Sequence, residues 1–477
     1  MTTSIIATIG PASNGPIILL ALREAGMTVA RLNGSHGNLD WHRNIISLIR
    51  ETIPDVPILL DIPGRKIRTI QLKVEPSFHV GDRLILTTDL SHDGTLKTPV
   101  NYDQFHLKVR PGVRIYADDG TLSFLIEEVR GNDVHLIAET AGILKSRKGI
   151  NVPEIQLGQD LITSKDREMI AFAKLANVDY VGISFVESAE HIQAIRHLIN
   201  SSTPQIVAKV ENQGGLNHLE EIAIAADVIM IDRGDLSVET SIDHVTIYQK
   251  QIIAAARQHG KPVIVATELL HSMIESPLPT KAEVGDITNA VIDGASAVML
   301  SGETAVGKFP IEAVARLRGI ITLADLHRHD NRHSKISQVN NYNDLRIAVQ
   351  ALTRSLPITK IVVLSKTGYA ARLISMAHIE QPIIAIGNNM PLVRGWNLLP
   401  GTVGVYLSEV IISAENAGFV ALEALWKRGL INQGDIALVI LATDDNEEVS
   451  ANTLQTIRIG HLAAMHQWQN PSALKAA

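Results

Sequence analysis

The chain contains no cysteine. That absence excludes a disulfide framework, a thiolate nucleophile and a thiolate metal centre, so any metal must be held by oxygen or imidazole ligands. Long apolar runs are missing too; residues 436–442 form one of the longest and are far too few to cross a bilayer. The opening MTTSIIATIG lacks a basic n-region and a small-residue cleavage site, so it reads as a first strand and the expected location is the cytoplasm. Positive surplus is absent: a formal net charge of -7 argues against a nucleic-acid partner. A phosphorylated anion can still bind if positive charge or a divalent cation is concentrated in one cleft. Apolar residues at 45% and charged residues at 19% describe a water-soluble globular protein without a membrane partner.

At 477 residues the length suggests about three domains. Short apolar strands alternate with helical patterns in two stretches, the rhythm of parallel α/β architecture. The first predicts strands at 4–9, 28–32 and 58–61 with helices over 16–25 and 39–52. The second predicts strands at 180–185, 205–210, 228–231, 262–266 and 297–300. Together, residues 1–63 and 156–327 hold about 235 residues, near the ~250 of a (β/α)8 TIM barrel. Residues 64–155 interrupt it with β-branched runs and the turn pairs Asp93-Gly94, Asp119-Gly120 and Gly131-Asn132, and read as an inserted β lid over the strand ends. The polar stretch 328–343 reads as a linker whose histidines lack regular ligand spacing. Residues 344–477 form a C-terminal α/β domain with predicted strands at 360–364, 382–386 and 435–441.

A barrel enzyme keeps its reactive groups at the C-terminal ends of the strands. Here those ends carry Arg31, Asn33, Ser35 and His36 after strand two, Asp61 after strand three, and Lys209 and Glu211 after strand five. Arg233, Gly234 and Asp235 follow strand six, Thr267 strand seven, and Ser301, Gly302 and Glu303 strand eight. Lys209 and Glu211 lie two apart in an extended segment, so both point into the mouth. Glu211 and Asp235 then offer hard oxygen ligands from adjacent strands, as magnesium prefers. Gly234 lets the backbone approach a ligand, and the amides opening the next helix suit a carboxylate. Thr280 and Glu283 have the spacing of a capping box.

The blocks ATIGPAS (7–13), ARLNGSHG (30–37), KVEN (209–212), RGDLS (233–237), KPVIVAT (261–267), PTKAEVGDITNAVIDGA (279–295) and MLSGETAVGKFPIEAV (299–314) closely resemble the pyruvate kinase family. They span the barrel in the family's order. The resemblance implies phosphoryl transfer from phosphoenolpyruvate to ADP, giving pyruvate and ATP at the last step of glycolysis, with Mg2+ or Mn2+. It implies that Arg31 and Lys209 hold the phosphoryl group and that Lys209 stabilises the enolate. By the same resemblance Glu211 and Asp235 ligate the metal, while Gly234, Asp235 and Thr267 bind the substrate carboxylate. Thr267 and Ser301 would order the water that protonates the enolate. Asn33, His36, Arg68, Arg147 and Lys148 fall to the nucleotide, and the family expectation is a homotetramer.

Where the family reads DTKGPEIR, this chain reads DIPGRKIR, with Lys66 for glutamate. Potassium-dependent members bind that ion through positions matching Asn33, Ser35, Asp61 and the Ile62 carbonyl. An ammonium about 4 Å from a carboxylate gains ~4 kcal/mol at an effective dielectric of 20, enough to replace a bound cation. The expectation is activity without K+. Gly34, Glu187, Ser237 and Glu268 also depart from the family pattern. In the C-terminal domain Ser365, Thr367 and Gly368 could cradle an effector phosphate. The acidic ATDDNEEVS loop argues against a sugar bisphosphate and for another phosphorylated effector or none. The competing readings are a metal-dependent pyruvate-enolate aldolase or lyase on a similar barrel, and a pyruvate kinase-like enzyme with altered substrate.

Overall fold

The computed structural model describes residues 3–118, 120–153, 161–330, 345–377, 379–410, 412, 416–442 and 452–469. Asp119 of one predicted turn, the 155–156 boundary, most of the predicted linker and nearly all of the acidic loop lie outside these residues.

Eight parallel strands close into a barrel in the order β1-β8-β7-β6-β5-β4-β3-β2. They are β1 (Ser4–Thr8), β2 (Val29–Asn33), β3 (Ile58–Ile62), β4 (Tyr180–Ile183), β5 (Gln205–Val210), β6 (Val228–Asp232), β7 (Val263–Ala266) and β8 (Ala297–Leu300). Side chains alternate across each strand. Ile6, Val29, Leu59, Tyr180, Val207, Val228, Ile264 and Ala297 pack inside, while Ile5, Ala30, Leu60, Val181 and Ala208 face the helices. Continuing the inward rows toward the strand ends brings Thr8, Arg31, Asp61, Lys209 and Asp232 onto the same interior face. The lower barrel is therefore an apolar plug, and its mouth is polar.

Between β3 and β4 the chain builds a six-stranded sheet in the order Ile150–Asn151, Arg114–Ala117, Leu122–Arg130, Asp133–Ala138, Arg83–Thr87 and Thr98–Pro99. Phe78, Phe105 and Phe124 anchor its own core. Gly131 turns the central hairpin at φ +55°, where a side chain would be strained.

The C-terminal sheet has five strands, β9 (Lys360–Leu364), β10 (Ile383–Gly387), β11 (Thr402–Tyr406), β12 (Ile436–Ala442) and β13 (Asn452–Arg458), in the order β11-β10-β9-β12-β13. Only β13 runs antiparallel to its neighbour. This domain seals the bottom of the barrel. Leu398 joins the barrel's interior cluster, and the Tyr180 hydroxyl donates to the Gly395 carbonyl at 2.8 Å. Asp179 lies between Arg50 (2.7 Å) and Arg394 (2.8 Å).

His191 sits in the first turn of helix Ala189–Ile199 at 2% exposure. Burial, helped by the charge of Arg65, lowers its pKa from 6.5 to about 4. The unfolded chain takes up that proton first, so stability falls as pH drops from about 6.5 to 4. At 1.36 kcal/mol per unit this is about 3 kcal/mol. Urea unfolding across that range should show the wild type losing about 3 kcal/mol more than His191→Gln; equal losses would exonerate the imidazole.

Candidate active site

Arg31, on the inward row of β2, donates from Nε and Nη2 to Asp61 Oδ2 at 3.2 and 2.6 Å, and from Nη1 to Thr8 Oγ1 at 3.0 Å. Gly182, opposite Asp61 in the β3–β4 register, makes room for that carboxylate: an added Cβ would lie 2.9 Å from Asp61 Oδ1.

Lys209 is 4% exposed. Its Nζ donates to Ser184 Oγ at 3.1 Å and lies 3.1 Å from Glu211 Oε2, 3.1 Å from Asp232 Oδ2 and 3.6 Å from Asp61 Oδ2. Burial pushes the ammonium toward neutrality, but Asp61, Glu211 and Asp232 outweigh it and hold the pKa well above its ordinary value. Glu211 goes the other way: burial lifts its carboxyl to about 8, with Lys209 opposing and Asp235 and Asp232 adding to the rise. Burial also works against Asp232, yet Lys209 and Lys66 keep it below the usual carboxylate range.

Glu211, Asp232 and Asp235 bring ligand oxygens within 4.8 Å of one another. Glu211 Oε1 accepts from the Phe185 amide at 2.8 Å, whereas the buried Oε2 accepts no hydrogen bond among the described residues. An oxygen-only cluster with such an atom fits a divalent cation such as magnesium. Asp232 was not among the residues singled out by sequence, although Val228, Met230 and Asp232 follow the same two-residue period as Val207 and Lys209.

The Lys66 ammonium bonds Asp235 Oδ1 and lies 5.7 Å from the centre of the Phe185 ring. Asn151 Nδ2 reaches the same oxygen at 3.5 Å and Glu239 Oε1 at 2.7 Å. Of the other residues linked to a monovalent cation, Asn33 Oδ1 accepts from the Ser35 amide at 3.0 Å, and the Ile62 carbonyl accepts from Ser184 Oγ at 3.0 Å.

The Gly234 amide donates to Thr267 Oγ1 at 2.9 Å. Thr267 and Glu268 both adopt left-handed backbone, at φ +67° and +54°, a costly conformation that neighbours must enforce. Arg233 does so. Its Nη2 donates to the carbonyls of Thr267 (2.7 Å) and Glu268 (3.3 Å), while Nη1 is held by both Asp286 oxygens at 2.9 and 2.7 Å. Glu303 braces the next loop, accepting from the amides of Ser301 (2.8 Å) and Leu270 (3.1 Å). Ser301 Oγ is buried and has no hydrogen-bond partner among the described residues.

On the lid side Arg68 reaches Ser35 Oγ at 3.4 Å and the Arg147 carbonyl at 3.3 Å, and Lys148 pairs with Asp118 at 2.6 Å. Burial lowers the pKa of His36, and the charges of Arg68, Arg31, Arg147 and Lys148 lower it further. The basic rim thus favours the neutral imidazole.

A closed parallel barrel with buried cations and metal-type carboxylates at its mouth, beside an inserted β domain, is the build of a barrel enzyme for an anionic substrate. Residues 1–314 match the model of the pyruvate kinase barrel domain, and residues 345–457 that of the pyruvate kinase alpha/beta domain. A pyruvate kinase from Thermococcus litoralis is 35% identical over 96% of this chain and 98% of its own length. That of Geobacillus stearothermophilus is 34% identical over 98% and 81%, and pyruvate kinase 2 of Synechocystis sp. 35% over 92% and 76%. The chain belongs to the pyruvate kinase family.

Gly182→Ala would push Asp61 away from Arg31. Steady-state kinetics should register a fall in turnover of about 10²-fold, the usual cost of a ~1 Å misplacement, with the circular dichroism spectrum unchanged. Wild-type turnover would show that Asp61 has slack here.

Proposed function

We propose that this enzyme transfers the phosphoryl group of phosphoenolpyruvate to ADP with Mg2+ or Mn2+, and needs no K+. The observation that carries the reading is the convergence of two buried cations, Arg31 and Lys209, on the carboxylates at the barrel mouth. A loose phosphoryl transition state spreads negative charge over its oxygens, which fixed cations in a water-poor site stabilise without reorganising. Arg31 and Lys209 hold the phosphoryl group, and Lys209 then faces the enolate oxygen left behind. Glu211 and Asp235 would hold the divalent cation, which neutralises phosphoryl and enolate charge when bound. The amides of Gly234 and Asp235 with the Thr267 hydroxyl would hold the substrate carboxylate, which must replace the existing Gly234–Thr267 hydrogen bond. Thr267 and Ser301 order the water that protonates the enolate carbon. His36, Arg68, Arg147 and Lys148, with Asn33, take the ADP phosphates, and the neutral imidazole can donate or accept there.

Independence from K+ is inferred from Lys66, which puts a fixed ammonium at the barrel mouth where the family has glutamate; there it bonds the Asp235 carboxylate. In the C-terminal domain, Gly368 stands at φ +92° and its amide donates to Ser365 Oγ at 3.0 Å, a loop suited to a phosphorylated effector other than a sugar bisphosphate. The enzyme would work in the cytoplasm as a homotetramer.

Pyruvate formation from phosphoenolpyruvate and ADP, followed with lactate dehydrogenase in sodium-only buffer, should proceed at full rate and gain nothing from K+. Lys66→Glu should be slow in Na+ and recover with K+. A wild type active only with K+ would discard the role given to Lys66. Lys209→Met should lower kcat on the order of 10²- to 10³-fold, as loss of one preorganised charge contact does.

A further inference from the structure

The Glu211 and Asp235 carboxylates are already matched by ammonium groups. Lys66 bonds Asp235 Oδ1, and Lys209 lies 3.1 Å from Glu211 Oε2. Arg31 and Asp61 balance each other through their 2.6 Å contact. A set so balanced offers no net charge to draw a divalent ion out of its hydration shell, which magnesium surrenders reluctantly. Asp232 changes the sum. It follows Val228 and Met230 on the inward row of β6, its side chain is 11% exposed, and once Glu211 is ionised, as a metal ligand must be, it leaves the group one negative charge in excess. Its ligand oxygen lies within 4.8 Å of those of Glu211 and Asp235, close to the ~3 to 4.2 Å separations between ligands of an octahedron with bonds of ~2.1 Å. A second feature points into the same space: Glu211 Oε2, on a side chain with no exposure, has the Lys209 ammonium 3.1 Å away yet accepts no hydrogen bond among the described residues.

We propose that Asp232 is a third carboxylate ligand of the divalent-cation site, restoring the negative charge that Lys66 takes from Asp235. The inference rests on Glu211 and Asp235 being the cation ligands. The alternative role for Asp232 is only to accompany Lys209.

Mn2+ binding to the full-length protein without substrate, read from the paramagnetic resonance signal of free Mn2+, separates the two. Asp232→Ala and Asp232→Asn should each raise the Kd for Mn2+ at least tenfold, while Asp232→Glu stays within about threefold. Lys66→Gln should bind Mn2+ more tightly than wild type, and adding D232N to it should bring affinity back toward the wild-type value. D232N keeps the side-chain volume, so it carries the test if the alanine variant fails to fold by thermal melting. The proposal is overturned if D232A and D232N bind Mn2+ like wild type while Glu211→Gln does not, for then Asp232 serves Lys209 alone. If Glu211→Gln also binds like wild type, the assignment of the cation site itself falls, and this inference with it.

Discussion

Lys209 stays charged while buried because Asp61, Glu211 and Asp232 surround it at 3.1 to 3.6 Å. Each of these groups alone would be driven toward its neutral form by burial, and removing one partner of a buried pair costs about 3–5 kcal/mol. The network therefore survives only if every member is held in place. The barrel meets that demand by geometry, since one two-residue period sets the direction of Arg31, Asp61, Lys209 and Asp232 on four consecutive or near-consecutive strands. Register supplies the rest: the space that Asp61 needs is the space that Gly182 leaves on the neighbouring strand.

The two ends of the barrel divide the work. Below the charged layer, Leu59, Val207, Met230 and Ile264 fill the interior, and Leu398 from the C-terminal domain closes it. Tyr180 belongs to both, its ring in the barrel core and its hydroxyl on Gly395, and burial keeps that phenol protonated. Asp179, with Arg50 and Arg394 on its two oxygens, fixes the docking from the adjacent position. A rigid base lets strained backbone persist at the top. The left-handed pair Thr267 and Glu268 is held by Arg233, which Asp286 in turn orients from the capped helix Lys281–Asp293.

Much of this was legible in the residues. Strands at 205–210, 297–300 and 360–364 and helices at 16–25 and 39–52 coincide with their observed bounds, because each is an apolar run or an amphipathic stripe cut off by polar or turn residues. β11 and β13 escaped for a physical reason. They are the two edges of the C-terminal sheet, and their mixed sequences TVGVY and NTLQTIR carry no unbroken apolar run, with Val403 52% exposed. At the site, Lys209 and Glu211 announced themselves by spacing, but Asp232 did not. β6 read as ending at Ile231, and the RGD that follows drew the eye to Asp235; extending the Val228–Met230 period by one step would have found it. Left-handed φ at Thr267 and Glu268 leaves no trace in composition, since neither residue favours that region. The carboxylate met by Lys66 likewise needed three dimensions, because Lys66 and Asp235 are joined only by the fold.

That last contact ties the lid to the chemistry. Lys66 stands at the start of the inserted domain and Asn151 near its end, and both reach Asp235, with Asn151 also bonded to Glu239. Burial raises the Glu239 carboxyl to about 7 even though Asn151 opposes the shift, so this barrel group is sheltered where the lid meets it. Any movement that lifts the lid segments must then either carry the Lys66 ammonium away from Asp235 or stretch the short loop from Ile62 that holds it. The first uncovers negative charge at the place where a cation and a triply charged substrate must be accommodated; the second strains β3 beneath Arg31. The segments that bear Lys66 and Asn151 therefore set the charge at Asp235, whereas the charge on Lys209 is held from the barrel side by Asp61, Glu211 and Asp232.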